Sequence, residues 1–216
     1  MYHRYPPAVK AVFAALMASA LLVFTQCSFP RITVLHDPLT AEEHEKLGKI
    51  YESRAEFDLA AQQYREALDK DPHMVSSLLL LGDLSFRTKR YPEAESAYRR
   101  AIKLQGGNGD IYNNLCWVYL EQNKIDKTED LISTAMIKTP EHRAYYLDTQ
   151  GVIFMRMGKV SESISALKEA IALLPKDNAA YLAEAYGHLA DAYRKAGDSE
   201  NALEAEKSAE QFRAQH

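Results

Sequence analysis

Three columns of small residues recur along this chain at one spacing. Gly48, Gly82, Cys116, Gly151 and Ala190 are separated by 34, 34, 35 and 39 positions. Ala60, Ala94, Thr128, Ser163 and Ala202 keep the same gaps, and so do Ala67, Ala101, Ala135, Ala170 and Ala209. A period between about 20 and 50 residues marks a chain built from stacked supersecondary units, none of which buries its apolar face alone. The repeat occupies residues 41–216, so it dictates most of what the chain can fold into.

Each unit reads as two helices. Leu47, Gly48 and Tyr51, or Leu115, Cys116 and Tyr119, stand at helical spacing in the first half. Ala60, Tyr64 and Ala67, or Ala94, Tyr98 and Ala101, do so in the second. Small residues let the paired helices approach closely, and aromatic rings fill the space beside them. Within units, turns fall at Gly158-Lys159, at Ala196-Gly197-Asp198, and at Arg90-Tyr91-Pro92, whose proline suits a helix's first turn. Between units, Asp71-Pro72, Thr139-Pro140 and Leu174-Pro175 stop one helix before the next begins. Thr40 with Glu43 three residues on is a capping box that opens the first helix.

The spacing and identities resemble the tetratricopeptide repeat, with units at 41–74, 75–108, 109–142, 144–177 and 183–216. The resemblance implies an all-α solenoid of about five helical hairpins wound as a right-handed superhelix. Three departures stand out. Gly106 replaces the usual inter-repeat proline; Thr128 and Ile132 replace Ala and an aromatic in the third unit; residues 178–182 are extra and lengthen the first helix of the last. Glu206 stands where an aromatic would pack, as expected of a terminal unit whose outer face meets water.

The amino-terminal segment has another character. Arg4 and Lys10 precede an apolar run from Ala11 to Phe24, followed by Thr25, Gln26 and Cys27. As a helix that run rises only about 21 Å against a bilayer core of about 30 Å. It fits the apolar region of a secretory signal, the alternative being a short retained membrane anchor. Leu22-Val23-Phe24-Thr25-Gln26-Cys27 resembles a bacterial lipoprotein signal, although Phe24 and Gln26 stand where that family prefers Leu and a small residue. The resemblance implies a signal peptide over 1–27, lipidation of Cys27, and, with Ser28 following, sorting to the outer membrane facing the periplasm. Residues 28–40 read as an extended tether, since Pro30 and Pro38 block helix.

Composition is that of an ordinary soluble domain, 47% apolar and 26% charged. Net charge is −4, with 26 basic against 30 acidic residues; Arg4 and Lys10 lie in the leader, so the remainder is more acidic still. Such a surface repels phosphate, and no nucleic-acid partner is expected. Two cysteines, Cys27 and Cys116, without a CxxC pair, give neither a disulfide framework nor a cysteine-rich zinc site.

No catalytic constellation emerges, and no cofactor or metal site is expected. The seven histidines are scattered, with no HExxH or GxSxG. Glu42-Glu43-His44-Glu45 is the acidic first turn of a helix, and Gly106-Gly107-Asn108-Gly109 is a turn without the Lys-Ser/Thr of a phosphate loop. Cys116 takes a small, buried repeat position. His188 and Asp191 sit one turn apart, but two ligands do not make a metal site.

The family resemblance implies instead a concave groove lined by the first helix of each unit. It would hold Glu42, Glu45, Lys49 and Glu52; then Leu79, Asp83 and Phe86; then Asn113, Trp117 and Leu120; then Asp148, Val152 and Met155; and finally Asp191 and Arg194. Asn113 and Asn114 partly echo a carboxylate clamp, but its lysines are missing. An apolar middle at Phe86, Trp117 and Met155 among acids suits an amphipathic segment carrying positive charge. The plainer alternative is that Trp117 and Phe86 only pack between helices. Arg87, Lys89, Arg90, Arg99, Arg100 and Lys103 form a basic patch, read as a solvated face or a contact for anionic lipid or partner. The expected function is a non-catalytic interaction scaffold of the bacterial envelope that binds a protein segment and assists a pilus, secretion or polysaccharide-export machine. The alternative is a substrate-presenting accessory of an envelope peptidase or murein hydrolase.

Overall fold

The structure is a computed structural model that describes residues 37–215. The expectations for the leader, for Cys27 and for most of the 28–40 segment fall outside the described residues. From Leu39 onward the chain forms one unit of ten α-helices and two short 3-10 turns among the described residues, with no strand.

The helices pair in chain order. α1 (Ala41–Ser53) packs with α2 (Phe57–Lys70), and α3 (Val75–Arg87) with α4 (Tyr91–Leu104). α5 (Gly109–Glu121) packs with α6 (Glu129–Lys138), α7 (Arg143–Arg156) with α8 (Val160–Leu173), and α9 (Ala179–Ala196) with α10 (Ser199–Arg213). Thr40 opens α1 as a reciprocal box: the Glu43 backbone N–H donates to Thr40 Oγ1 and the Thr40 N–H donates to the Glu43 carboxylate. Residues 179–182 extend α9 to 18 residues, against 13 or 14 in the other first helices.

Close approach within a pair is made by a knob set over a bare backbone. A Cβ added to Gly48 would lie 2.5 Å from the Tyr64 ring, one at Gly82 2.7 Å from the Tyr98 ring, and one at Gly151 2.5 Å from Leu167. Tyr64, Tyr98 and Leu167 are buried, each stabilising the fold by roughly 1.5–3 kcal/mol through apolar burial. The tyrosine hydroxyls reach back across the pair. Tyr64 donates to Glu52 at 2.6 Å and Tyr98 to Asp83 at 2.5 Å, so neither ring buries an unsatisfied hydroxyl.

The third pair is the irregular one. Thr128 and Ile132 are both buried, but α6 has only ten residues and is preceded by the 3-10 turn Ile125–Lys127. The Thr128 hydroxyl donates to the Ile125 carbonyl, an alternative to continued helix.

Neighbouring pairs join through polar staples as well as apolar contact. Glu45 is buried and accepts from Lys49, Ser76 and Ser77, tying α1 to α3. Burial works against its charge, but these donors outweigh it and hold the carboxyl below the usual glutamate pKa.

Candidate functional site

Two open cavities lie along the face made by the first helices. The larger, about 790 Å³, is walled by Phe86 and Arg87 of α3, Trp117 and Glu121 of α5, and the stripe Glu184, His188, Asp191 and Arg194 of α9. Glu206, Glu210 and Arg213 of α10 close its far side. The smaller, about 520 Å³, lies between α5, α7 and α9, with Asp110, Asn113, Tyr145, Asp148 and Tyr181 in its wall. Trp117 and Glu184 line both, so they form the seam.

At the seam the rings of Trp117 and His188 face each other at 5.8 Å between centroids. His188 Nδ1 lies 3.0 Å from both oxygens of Asp148 on α7. Burial opposes a charge on His188, but the Asp148 carboxylate, with Glu184 and Asp191 beyond it, prevails and raises its pKa above the ordinary histidine value. Asp110 accepts from Tyr146 Oη at 2.6 Å and lies 2.8 Å from His142 Nδ1. Arg194 pairs with Asp191 and with Glu206 on α10.

These cavities gather some of the expected groove residues and not others. Phe86, Trp117, Asp191 and Arg194 meet in the larger; Asn113, Trp117 and Asp148 meet in the smaller. Leu120 and Val152 are both buried in one core cluster with Cys116, Ile132 and Tyr146 and line neither cavity. Leu79 packs on the first core cluster. Met155 packs on two core clusters and lends its carbonyl to Lys195 at 2.7 Å. Lys49 pairs with Glu45 along α1, Asp83 accepts from Tyr98 and Asn114, and neither lines these two cavities. Phe86 and Trp117 pack on core clusters and also line the larger cavity.

Tyr181 and Glu184 were missed, and His188 was weighed only as half of a metal pair, although their spacing with Asp191 already draws one stripe down α9. Tyr181 belongs to the extra 178–182 segment, which the repeat register left without a position.

The remaining candidates are quiet. Cys116 is fully buried, and burial pushes its thiol pKa up to about 12, so no thiolate is available as a nucleophile. Among the described residues no group of three or more His, Cys, Asp or Glu is placed to hold a metal. The basic patch is largely engaged locally. Arg87 pairs with Glu52, Arg90 with Asp58, Arg99 with Glu95, and Arg100 donates to the Pro72 carbonyl.

Stacked helical hairpins with an open groove on their first-helix face define a helical-repeat solenoid, a fold that works as a scaffold for binding. Family models described as tetratricopeptide repeat match residues 45–110, 86–150 and 149–216. The chain belongs to the tetratricopeptide repeat family.

Its fold is similar to the crystal structure of MamA, with a TM-score of 0.63 and 21% identity over 78% of this chain and 95% of that one. It is also similar to that of YrrB, described as a TPR protein with an unusual peptide-binding site, with a TM-score of 0.58 and 19% identity over 82% and 88%. In sequence it is 26% identical over 110 residues to the type IV pilus assembly protein PilF of Pseudomonas aeruginosa, covering 51% of this chain and 39% of that protein. It is 22% identical over 138 residues to the tetratricopeptide repeat-containing protein trd-1 of Caenorhabditis elegans, covering 64% and 18%. The chain therefore spans less than two fifths of the length of these curated relatives.

Proposed function

We propose that this chain is a non-catalytic scaffold that holds a segment of a partner protein in the groove around Trp117. The observation that carries this reading is the pair of cavities meeting at Trp117 and Glu184, open and lined by aromatic and charged side chains from four first helices and α10. Partly exposed aromatics flanked by charged rims are the usual anchors of a protein interface. The peptide-binding description of YrrB and the assembly role printed for PilF support the same reading by likeness.

The scaffold belongs, on this proposal, to a bacterial envelope, tethered through a lipid on Cys27 and serving a pilus, secretion or export machine. Such a tether raises the groove's effective concentration for partners at one membrane surface. Labelled palmitate should enter the wild-type chain and not Cys27→Ala; equal labelling, or none in either, refutes the anchor. Partner recovery should fall with a folded Trp117→Ala variant, and undiminished recovery refutes the groove.

A further inference from the structure

The smaller cavity carries a more specific message about what the groove accepts. Its wall holds the carboxylates of Asp110, Asp148 and Glu184 and not one lysine or arginine. Asp110 and Asp148 each have a histidine beside them. The Glu184 carboxylate accepts no hydrogen bond and makes no ion pair among the described residues, although its charge acts on His188, and it stands at the seam where both cavities meet. An unpaired carboxylate in a protein recess gains most from a cation that enters beside it.

A further feature favours the same kind of guest. The walls are aromatic as well. Tyr145 and Tyr181 meet edge to face with centroids 4.6 Å apart, and Trp117 stands at the seam. Ring faces attract ammonium and guanidinium groups and repel anions. Carboxylates and aromatic faces share one complement, a cation that also donates hydrogen bonds.

We infer that this cavity is a socket for the lysine or arginine side chain of the partner segment held in the groove. The inference rests on the proposed groove reading and adds the chemistry that selects the segment.

A phage-displayed library of random dodecapeptides, selected on the full chain, tests this. Trp117 is the only tryptophan, so its fluorescence reports groove occupancy without any substitution. Selected peptides should carry a basic residue and shift Trp117 emission. Their affinity should fall about tenfold or more when that residue is replaced by citrulline or norleucine, and by a similar factor in Glu184→Gln. Glu184 is exposed, so that variant leaves the core intact. Peptides that shift Trp117 emission but are indifferent to both changes leave the groove standing and overturn the socket. A need for the basic residue that survives Glu184→Gln and Asp148→Asn places the contact elsewhere and also overturns it. Peptides that leave Trp117 emission unmoved, or a library without binders, overturn groove and socket together.

Discussion

A glycine inside a helix costs about 1 kcal/mol relative to alanine, so its retention at Gly48 and Gly82 has to be offset by packing. The Tyr64 ring that a Gly48 Cβ would strike is fully buried and pinned by its hydroxyl on Glu52. Gly48→Ala should therefore lose more to overpacking, about 1–3 kcal/mol, than it gains in helix propensity. The expected net is a fall in Tm of up to roughly 8 °C. Gly187 in α9 is the contrast, since its added Cβ would meet only the end of Arg213 at 3.6 Å. Gly187→Ala should raise Tm by about 2–4 °C, and calorimetry on the two variants separates the cases. His188 gives a second prediction at this scale. The folded state holds its proton more tightly than the unfolded chain does, because of Asp148, Glu184 and Asp191. That stabilisation is complete below the ordinary histidine pKa, about 6.5, and is lost as pH rises through the raised folded value. Stability from denaturant melts should decline across that window in the wild type, and the decline should shrink in Asp148→Asn.

At the scale of elements, the turn inside each hairpin repeats as strictly as the helices. Ala55, Lys89, Asn123, Gly158 and Gly197 all have positive φ, from 56° to 79°. They fall at the same 34, 34, 35 and 39 spacing as the small-residue columns. The hydrogen bonds repeat too. Arg90 N–H donates to the Ser85 carbonyl and Lys89 N–H to that of Phe86, the Schellman arrangement, and Glu56, Lys124, Lys159 and Asp198 make the same six-residue closure. Only the last two units put glycine at this position. An L side chain there costs roughly 1–2 kcal/mol, so Lys89→Gly should stabilise the fold by up to about 1 kcal/mol once glycine's greater unfolded entropy is counted. A Tm that falls or stays unchanged would contradict this. The column also shows what the sequence made legible. Gly158 and Gly197 announced their turns by residue type and Asn123 tolerates the same conformation, whereas Ala55 and Lys89 adopt it against the usual preference of an L side chain. The burial of Leu120 and Val152 has a related reason. One helical position separates groove from core, so a register shared by all units cannot say which way a single side chain turns. Of the stripe on α9 only Tyr181 lay outside the register, in the extra 178–182 segment.

For the whole molecule, the core is a chain of clusters rather than one centre. The first spans α2 to α5, another joins α5, α6 and α7, and a third runs from α7 through α10. Leu131 packs on the first two, and Tyr145 and Met155 on the last two, so each cluster leans on its neighbour. Stability in such a stack is close to a sum over units and their interfaces, and the faces at its ends decide solubility. α10 buries only Ala202, Ala205 and Ala209, with acids and lysine spread over its remaining surface, whereas α8 buries Ala166, Leu167, Ala170 and Ile171 partly against α9. Removing residues 178–216 would thus replace a polar end by an apolar one, uncovering Leu167, Ile171 and Leu174. It would also delete the α9 side of both cavities. The shortened chain should melt lower, bind a hydrophobic dye and associate in sedimentation experiments, while keeping helical circular dichroism from its first four hairpins. If it sedimented like the full chain with an unchanged Tm, the last hairpin would be a dispensable appendage, and the groove wall it supplies would have no part in holding the stack together.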